Sequence, residues 1–133
     1  MQTTTAQQVL ARKSQRLLSI APDATVFDAL TLMALHDIGS LVVLDGERLT
    51  GIFSERDYAR QVVLLGKSSK ETRVRDIMTH KVVPVSPDLE LREAALQMDY
   101  LDVHRLFVLD GDRLVGVISR SDINRAFAAG TLH

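Results

Sequence analysis

The same stretch of sequence occurs twice in this chain, and the two copies begin sixty-five residues apart. Residues 22–62 align with residues 87–127 without a gap, and sixteen of the forty-one aligned pairs are identical. The identical pairs include two glycines, a serine near the end of each copy and the aspartate three residues after it. A repeat of this regularity indicates one structural unit built twice, so any site that the chain carries is expected in two copies.

The length of the chain limits how the two copies can fold. A repeat of about sixty residues buries little surface when it folds alone, so the halves are expected to share a core. With 46% hydrophobic and 25% charged residues, the composition is that of an ordinary globular domain. No apolar stretch approaches about twenty residues, and the first residues lack the layout of a signal peptide. We therefore expect no membrane segment and a location in the cytoplasm.

Charge and residue content disfavour several classes of function. A formal net charge of -1 and only six aromatic residues, four Phe and two Tyr, argue against nucleic acid as the main partner. The lack of cysteine excludes disulfides, thiolate catalysis and Cys-based zinc sites. The four histidines show no metal-site spacing, and no nucleophile stands beside a base. We expect no enzyme activity, no catalytic cofactor and no bound metal.

Each copy predicts a helix, two strands and a second helix, with a further short strand in front. The first helix of each copy carries an apolar stripe at the i, i+3, i+4 and i+7 spacing. The stripe residues are Val26, Ala29, Leu30 and Met33 in the first copy and Leu91, Ala94, Ala95 and Met98 in the second.

The strands follow from two short apolar runs and the turns after them. Residues 41–44 and 106–109 predict strands that are covered on both faces. An Asp-Gly pair after each run predicts a hairpin turn, since glycine readily adopts positive φ. Each returning strand ends at a serine that suits the N-cap of the last helix, Ser54 in the first copy and Ser119 in the second.

A polar stretch separates the two copies. We assign residues 1–65 to a lead-in helix and repeat 1, residues 66–72 to a linker, and residues 73–133 to repeat 2 with a short C-terminal tail. The lead-ins also correspond, because residues 9–13 are similar to residues 77–81 at a spacing of sixty-eight.

The repeated features resemble a tandem pair of CBS domains, also called a Bateman module. They are the Gly-apolar-apolar-Ser-x-x-Asp endings, the apolar strands followed by Asp-Gly, and Asp76–Thr79 at the start of the second copy. Residues 54–60 are similar to small stand-alone bacterial CBS-pair proteins. The resemblance implies an α/β fold of the α+β type, with two pseudo-twofold-related β-α-β-β-α repeats packed sheet to sheet. It also implies two clefts for adenosine nucleotides and a disc-shaped homodimer.

The Ser-x-x-Asp sequences are the leading candidates for ligand binding. One carboxylate can accept hydrogen bonds from both vicinal hydroxyls of a ribose, and the first helical turn offers backbone N–H groups that phosphate can use. By the resemblance, Asp57 and Asp122 match the position that binds ribose. A capping box, which only starts the helix, explains the same spacing, and the two roles are compatible.

The resemblance implies two adenosine-nucleotide sites, each assembled from both repeats. Site 1 comprises Ser54, Arg56, Asp57, Thr79, Lys81, Val83, His104 and Arg105. Site 2 comprises Ser19, Ile20, Ala21, Gly39, Ser40, Ser119, Ser121 and Asp122. Site 2 has Gly-Ser where site 1 has His-Arg, so we expect it to hold phosphate less strongly. Alternatively, the His-Arg pair only caps a strand edge, and the lysine is a solvated surface residue.

A non-catalytic regulatory sensor is the function that these observations favour. AMP, ADP, ATP or NAD is the expected ligand. Its binding is expected to act through the angle between the repeats or through a dimer interface, on an unidentified partner protein in signal transduction. The alternative is a structural module that dimerises and docks on a partner while its clefts stay empty. Phe107, where many family members have proline, favours that alternative.

Overall fold

A computed structural model of the chain describes residues 4–12 and 17–131. The chain forms two compact units. The central unit consists of Leu17–Val82, and the terminal unit consists of Met1–Arg16 together with Val83–His133. Each unit contains one three-stranded sheet with helices packed against it.

The elements follow one another in nearly the same order in both copies of the repeat. In chain order they are α1 (Ala6–Ala11), β1 (Ser19–Ile20), α2 (Val26–His36), β2 (Ser40–Asp45), β3 (Arg48–Ser54), α3 (Glu55–Tyr58), a π-helical segment (Ala59–Val63), α4 (Val74–Ile77), β4 (Pro84–Val85), α5 (Leu91–Leu101), β5 (Arg105–Asp110), β6 (Arg113–Ser119) and α6 (Arg120–Thr131).

The two sheets have the same topology and the same register. In the central unit β1 runs parallel to β2, and β2 runs antiparallel to β3. In the terminal unit β4, β5 and β6 repeat this arrangement. The register shifts after Val43 in one sheet and after Val108 in the other, so even this irregularity is duplicated. The mixed α/β fold with two repeats, predicted from the sequence, is confirmed.

The predicted apolar stripes form the cores of the two units. Val26, Ala29 and Met33 of α2 are buried, as are the corresponding residues of α5. Three successive residues of β2 are also buried, which requires that the strand be covered on both faces, and the same holds for β5. The glycines of the two hairpins, Gly46 and Gly111, have φ of 64° and 65°, as the predicted turns require.

In the terminal unit, the lead-in before repeat 1 docks on the start of α5 in repeat 2. The backbone N–H of Ala6 donates to the carbonyl oxygen of Leu89 at 2.8 Å. The N–H of Leu91 donates to the carbonyl oxygen of Thr4 at 2.8 Å. Val9 of α1 contributes to the core of this unit.

In the central unit, the lead-in before repeat 2 docks on the start of α2 in repeat 1. The N–H of Val74 donates to the carbonyl oxygen of Ala24, and the N–H of Val26 donates to that of Thr72, both at 2.9 Å. Thr72 belongs to the stretch that the sequence assigned to a linker. Each compact unit therefore contains one repeat together with the lead-in of the other repeat. The division into residues 1–65, 66–72 and 73–133 is based on the sequence repeat alone, and it stays a prediction about domains.

None of the helices in the described part of the chain has the length and apolar character that crossing a membrane requires.

Replacing Gly51 by alanine is expected to destabilise the chain by about 2 kcal/mol, because added volume at a tight contact forces the backbone to shift. A Cβ at this position would lie 2.6 Å from the carbonyl oxygen of Thr79. At the corresponding position in the terminal unit, a Cβ on Gly116 would meet the end of the Leu10 side chain at 2.7 Å. That side chain can move, so Gly116→Ala should cost less. Urea unfolding followed by circular dichroism measures both losses.

Gly39→Ala is the control for this pair. Its Cβ would lie 3.7 Å from the Glu55 carboxylate, an ordinary contact distance. Equal losses for Gly39→Ala and Gly51→Ala would contradict the close approach of the lead-in to β3.

Candidate functional site

The central unit holds Asp57 in a reciprocal capping box at the junction of β3 and α3. Ser54 is the N-cap residue, and its hydroxyl oxygen accepts a hydrogen bond from the backbone N–H of Asp57 at 3.2 Å. In return, Asp57 Oδ2 accepts from the backbone N–H of Ser54 at 2.9 Å and from its hydroxyl at 3.0 Å. The capping box that the spacing indicated is therefore present, and it fixes the position of the half-buried carboxylate.

The lead-in of the central unit supplies a further donor to the same carboxylate. The Thr79 hydroxyl donates to Asp57 Oδ1 at 2.9 Å. Thr79 is held by two backbone hydrogen bonds to Ile52 of β3, at 2.9 and 3.0 Å. A Cβ on Gly51 would clash with its carbonyl, so glycine permits this approach. Three predicted site residues, Ser54, Asp57 and Thr79, thus meet in one unit.

A carboxylate oxygen has two lone pairs, so the hydrogen bonds at Asp57 can be counted. Oδ2 uses both of its lone pairs on Ser54. Oδ1 uses one on Thr79, so within the described residues one acceptor position remains. Asp57 can therefore cap its helix and accept a hydrogen bond from a ligand hydroxyl at the same time.

The terminal unit repeats the capping box around Asp122 but completes it differently. The backbone N–H of Asp122 donates to the hydroxyl oxygen of Ser119 at 3.2 Å, and Asp122 Oδ2 accepts from the backbone N–H of Ser119 at 2.9 Å. Asp122 Oδ1 accepts from the Arg125 guanidinium at 2.6 Å. Asp122 is also the buried charged residue of the described chain, with 5% of its surface exposed.

The first residues of β2 and β5 lie beside the capping serines of their own units. Ser40 is the register partner of Ser54, and Arg105 is the register partner of Ser119. The carbonyl oxygen of His104 accepts from the N–H of Arg120 at 3.0 Å. The Gly39 carbonyl accepts in the same way from the residue that follows Ser54. The assignment of His104 and Arg105 to Asp57, and of Gly39 and Ser40 to Asp122, joins residues of different units and stays a prediction.

The segments around β1 and β4 contain further predicted site residues, and part of their backbone is hydrogen-bonded within the sheets. The carbonyl oxygen of Val83 accepts from the N–H of Phe107 at 2.9 Å, so that carbonyl is engaged by β5. Ile20 is half-buried in β1, whereas Ser19 and Ala21 are exposed. The remaining predicted site residues have exposed side chains; they are Arg56, Lys81 and Ser121.

Two features of these sites were not predicted from the sequence. The first is the ion pair of Arg125 with Asp122, although the three-residue separation is one at which acid–base pairs form on a helix. The second is the hydrogen bond from the Thr79 hydroxyl to Asp57, which lies twenty-two residues away in the sequence. No local pattern connects two residues so far apart.

The chain belongs to the CBS domain family, which it matches over residues 9–64 and 74–129. It is 34% identical over 134 residues to the CBS domain-containing protein CBSX3, mitochondrial, of Arabidopsis thaliana. That match covers 94% of this chain and 65% of the relative, so the chain spans slightly less than two thirds of that protein.

Solved structures of CBS proteins have the same fold. A protein with CBS domains from Burkholderia ambifaria is 42% identical, with a TM-score of 0.82 and 95% of each chain covered. A hexameric CBS-CP12 protein from bloom-forming cyanobacteria is 31% identical, with a TM-score of 0.77, covering 92% of this chain and 67% of that one. The tandem CBS pair predicted from the sequence is confirmed.

Removing either capping hydroxyl is expected to lower stability whether or not a ligand is present. Ser54→Ala and Ser119→Ala should each reduce the free energy of unfolding by about 1 kcal/mol, because each loses the acceptor for a helical N–H. Ser121→Ala is the control, since this exposed serine should change stability by less than about 0.5 kcal/mol. Chemical unfolding of the three variants measures the losses. A loss at Ser121 as large as at Ser119 would contradict the capping role.

Proposed function

We propose that the chain is a non-catalytic regulatory module that binds an adenosine compound, AMP, ADP, ATP or NAD. Two CBS domains make up almost the whole chain, and CBS pairs are regulatory modules that often bind adenosine ligands in related proteins. The observation that carries the proposal is the Asp57 carboxylate, which is fixed by its neighbours and keeps an acceptor position on Oδ1 among the described residues.

The chemistry of this carboxylate suits the sugar of a nucleotide. A ribose presents two adjacent hydroxyls, and each can donate a hydrogen bond to an ionised carboxylate. Hydrogen bonds to a charged acceptor are stronger than those between neutral groups. Thr79 is exposed, so its hydroxyl can turn toward solvent and a ribose hydroxyl can take its place on Oδ1.

Phosphate groups need positive charge or N–H donors near the sugar. In the central unit, Arg56 and Lys81 have exposed side chains and are our candidates for contacts with phosphate. His104 and Arg105 of the terminal unit are exposed as well, and we propose that they contact the phosphate of the same ligand.

Regulation requires more than binding. A ligand shifts a conformational equilibrium only by the difference between its affinities for the two states. We propose that nucleotide occupancy favours one arrangement of the module, and that a partner protein or a second copy of the chain detects this difference. A homodimer and a location in the cytoplasm belong to the same proposal.

A structural docking module is the second candidate. It is favoured by the hydrogen bonds of the two aspartates, since capping alone gives Asp57 and Asp122 partners without any ligand. Phe107 is buried, with 2% of its surface exposed, on the opposite face of β5 from Leu106 and Val108. The hexameric relative also indicates that a CBS protein can serve assembly. Thermal melting separates the candidates, because a ligand at about a hundred times its Kd adds roughly 2.7 kcal/mol to stability.

Asp57→Ala is expected to weaken the tighter nucleotide site by about 10- to 100-fold, because charge-assisted hydrogen bonds to the ribose are lost. Calorimetric titration of the full chain with AMP, ADP, ATP and NAD measures the affinity. The 2′-deoxy form of the best ligand should bind the wild type more weakly than the ribose form. With Asp122→Ala present in both proteins to remove the second site, Asp57→Ala should no longer distinguish the two forms, because the group that senses the hydroxyl is gone.

Asp28→Ala is the matched control for this titration. Like Asp57, Asp28 is an acid three residues after an N-cap, Thr25, but it is exposed and belongs to α2. Its replacement should leave binding unchanged. If Asp57→Ala retained both the affinity and the preference for ribose, the carboxylate would not read the sugar. Unchanged melting with all four compounds would favour the docking module.

A further inference from the structure

The repeat places an arginine three residues after each candidate aspartate. Arg60 follows Asp57, and Arg125 follows Asp122, at equivalent positions of the two copies. In an α-helix, side chains three residues apart lie on the same face and can form an ion pair. On sequence alone, both aspartates would be paired alike.

The terminal unit forms this pair. The Arg125 guanidinium donates to Asp122 Oδ1 at 2.6 Å, while Oδ2 accepts from the backbone N–H of Ser119. The Asp122 side chain is 4% exposed and that of Arg125 is 75% exposed. Both carboxylate oxygens are thus engaged, and one of them by a cation.

The central unit does not form the equivalent pair. Arg60 lies in the π-helical segment, where the hydrogen bonds run from residue i to i+5 and the wider turn no longer stacks positions i and i+3 as an α-helix does. Within the described part of the chain, Arg60 is exposed and pairs with no carboxylate. Asp57 Oδ1 instead accepts from the neutral hydroxyl of Thr79.

This difference sets the cost of admitting a ribose at each aspartate. At Asp57, a ribose hydroxyl can add to Thr79 or replace it, and one neutral donor is then exchanged for another. At Asp122, Oδ1 is held by a guanidinium and the side chain is only 4% exposed, so a ribose hydroxyl must share this buried oxygen with the cation or displace it. Hydrogen bonds between two charged groups are stronger than those from a neutral hydroxyl, and a buried carboxylate that loses its cation is destabilised.

We propose that Arg125 competes with the ligand for Asp122 and thereby makes the two nucleotide sites unequal, so that the Asp57 site fills first. The inference rests on the proposed function, because it takes the aspartates to be ribose acceptors. The Arg125 side chain is largely exposed, so the pair can open into solvent and the second site is weakened rather than abolished.

Titration of the full chain with AMP, and separately with ATP, tests the proposal. The background variant Asp57→Ala isolates the site at Asp122. In that background, Arg125→Gln is expected to tighten nucleotide binding by about 10-fold or more, because the competing cation is removed. Arg60→Gln in the same background is the matched control and should change nothing. Arg125→Lys keeps the charge without the planar fork and should tighten binding less than Arg125→Gln.

The outcomes separate this inference from the proposed function. If the wild type binds through Asp57, but Arg125→Gln leaves the Asp122 site unchanged or weaker, then Arg125 does not compete and the inference is overturned alone. Weaker binding would identify Arg125 as a contact to phosphate. If the wild type binds neither AMP nor ATP, the proposed function and the inference fail together for these ligands. Thermal unfolding of each variant without ligand shows that its fold is intact.

Discussion

A single hydrogen bond, repeated in each unit, joins the last strand of the sheet to the helix that follows. Asp57 accepts it from the N–H of Ser54, and Asp122 accepts it from the N–H of Ser119, both at 2.9 Å. The bond satisfies a donor at the helix start and also holds a carboxylate in one orientation. Everything proposed about ligand binding depends on that fixed carboxylate, because a freely rotating acid would lose entropy when it bound a sugar.

The same capping box is completed by different partners in the two units. In the central unit the lead-in reaches β3 beside Gly51 and offers the Thr79 hydroxyl to Asp57. In the terminal unit Arg125, on the same helix as Asp122, takes the corresponding place. A duplicated sequence thus gives two sites with one geometry and different electrostatics. Duplication makes the capping boxes similar, and in our proposal the partner of each aspartate sets how readily it accepts a ligand.

Local patterns predicted most of the fold and the core of each candidate site. The stripe through Val26 and Met33, the Asp-Gly turn at Gly46 and the capping box at Ser54 each depend on residues within a few positions of one another. The docking of the lead-ins and the Thr79 contact depend on residues far apart in the chain, which a periodicity does not reveal. The π-helical segment that contains Arg60 lies within a sequence typical of an α-helix.

A crystal structure of the chain grown with the tightest-binding adenosine compound tests the central claim most directly. A carboxylate oxygen of Asp57 should lie about 2.5–3.0 Å from a ribose hydroxyl, with its bond to the Ser54 N–H intact. A nucleotide bound elsewhere, with the sugar distant from Asp57 and the Thr79 hydroxyl still on Oδ1, would contradict the claim. The capping box would then be a structural device alone.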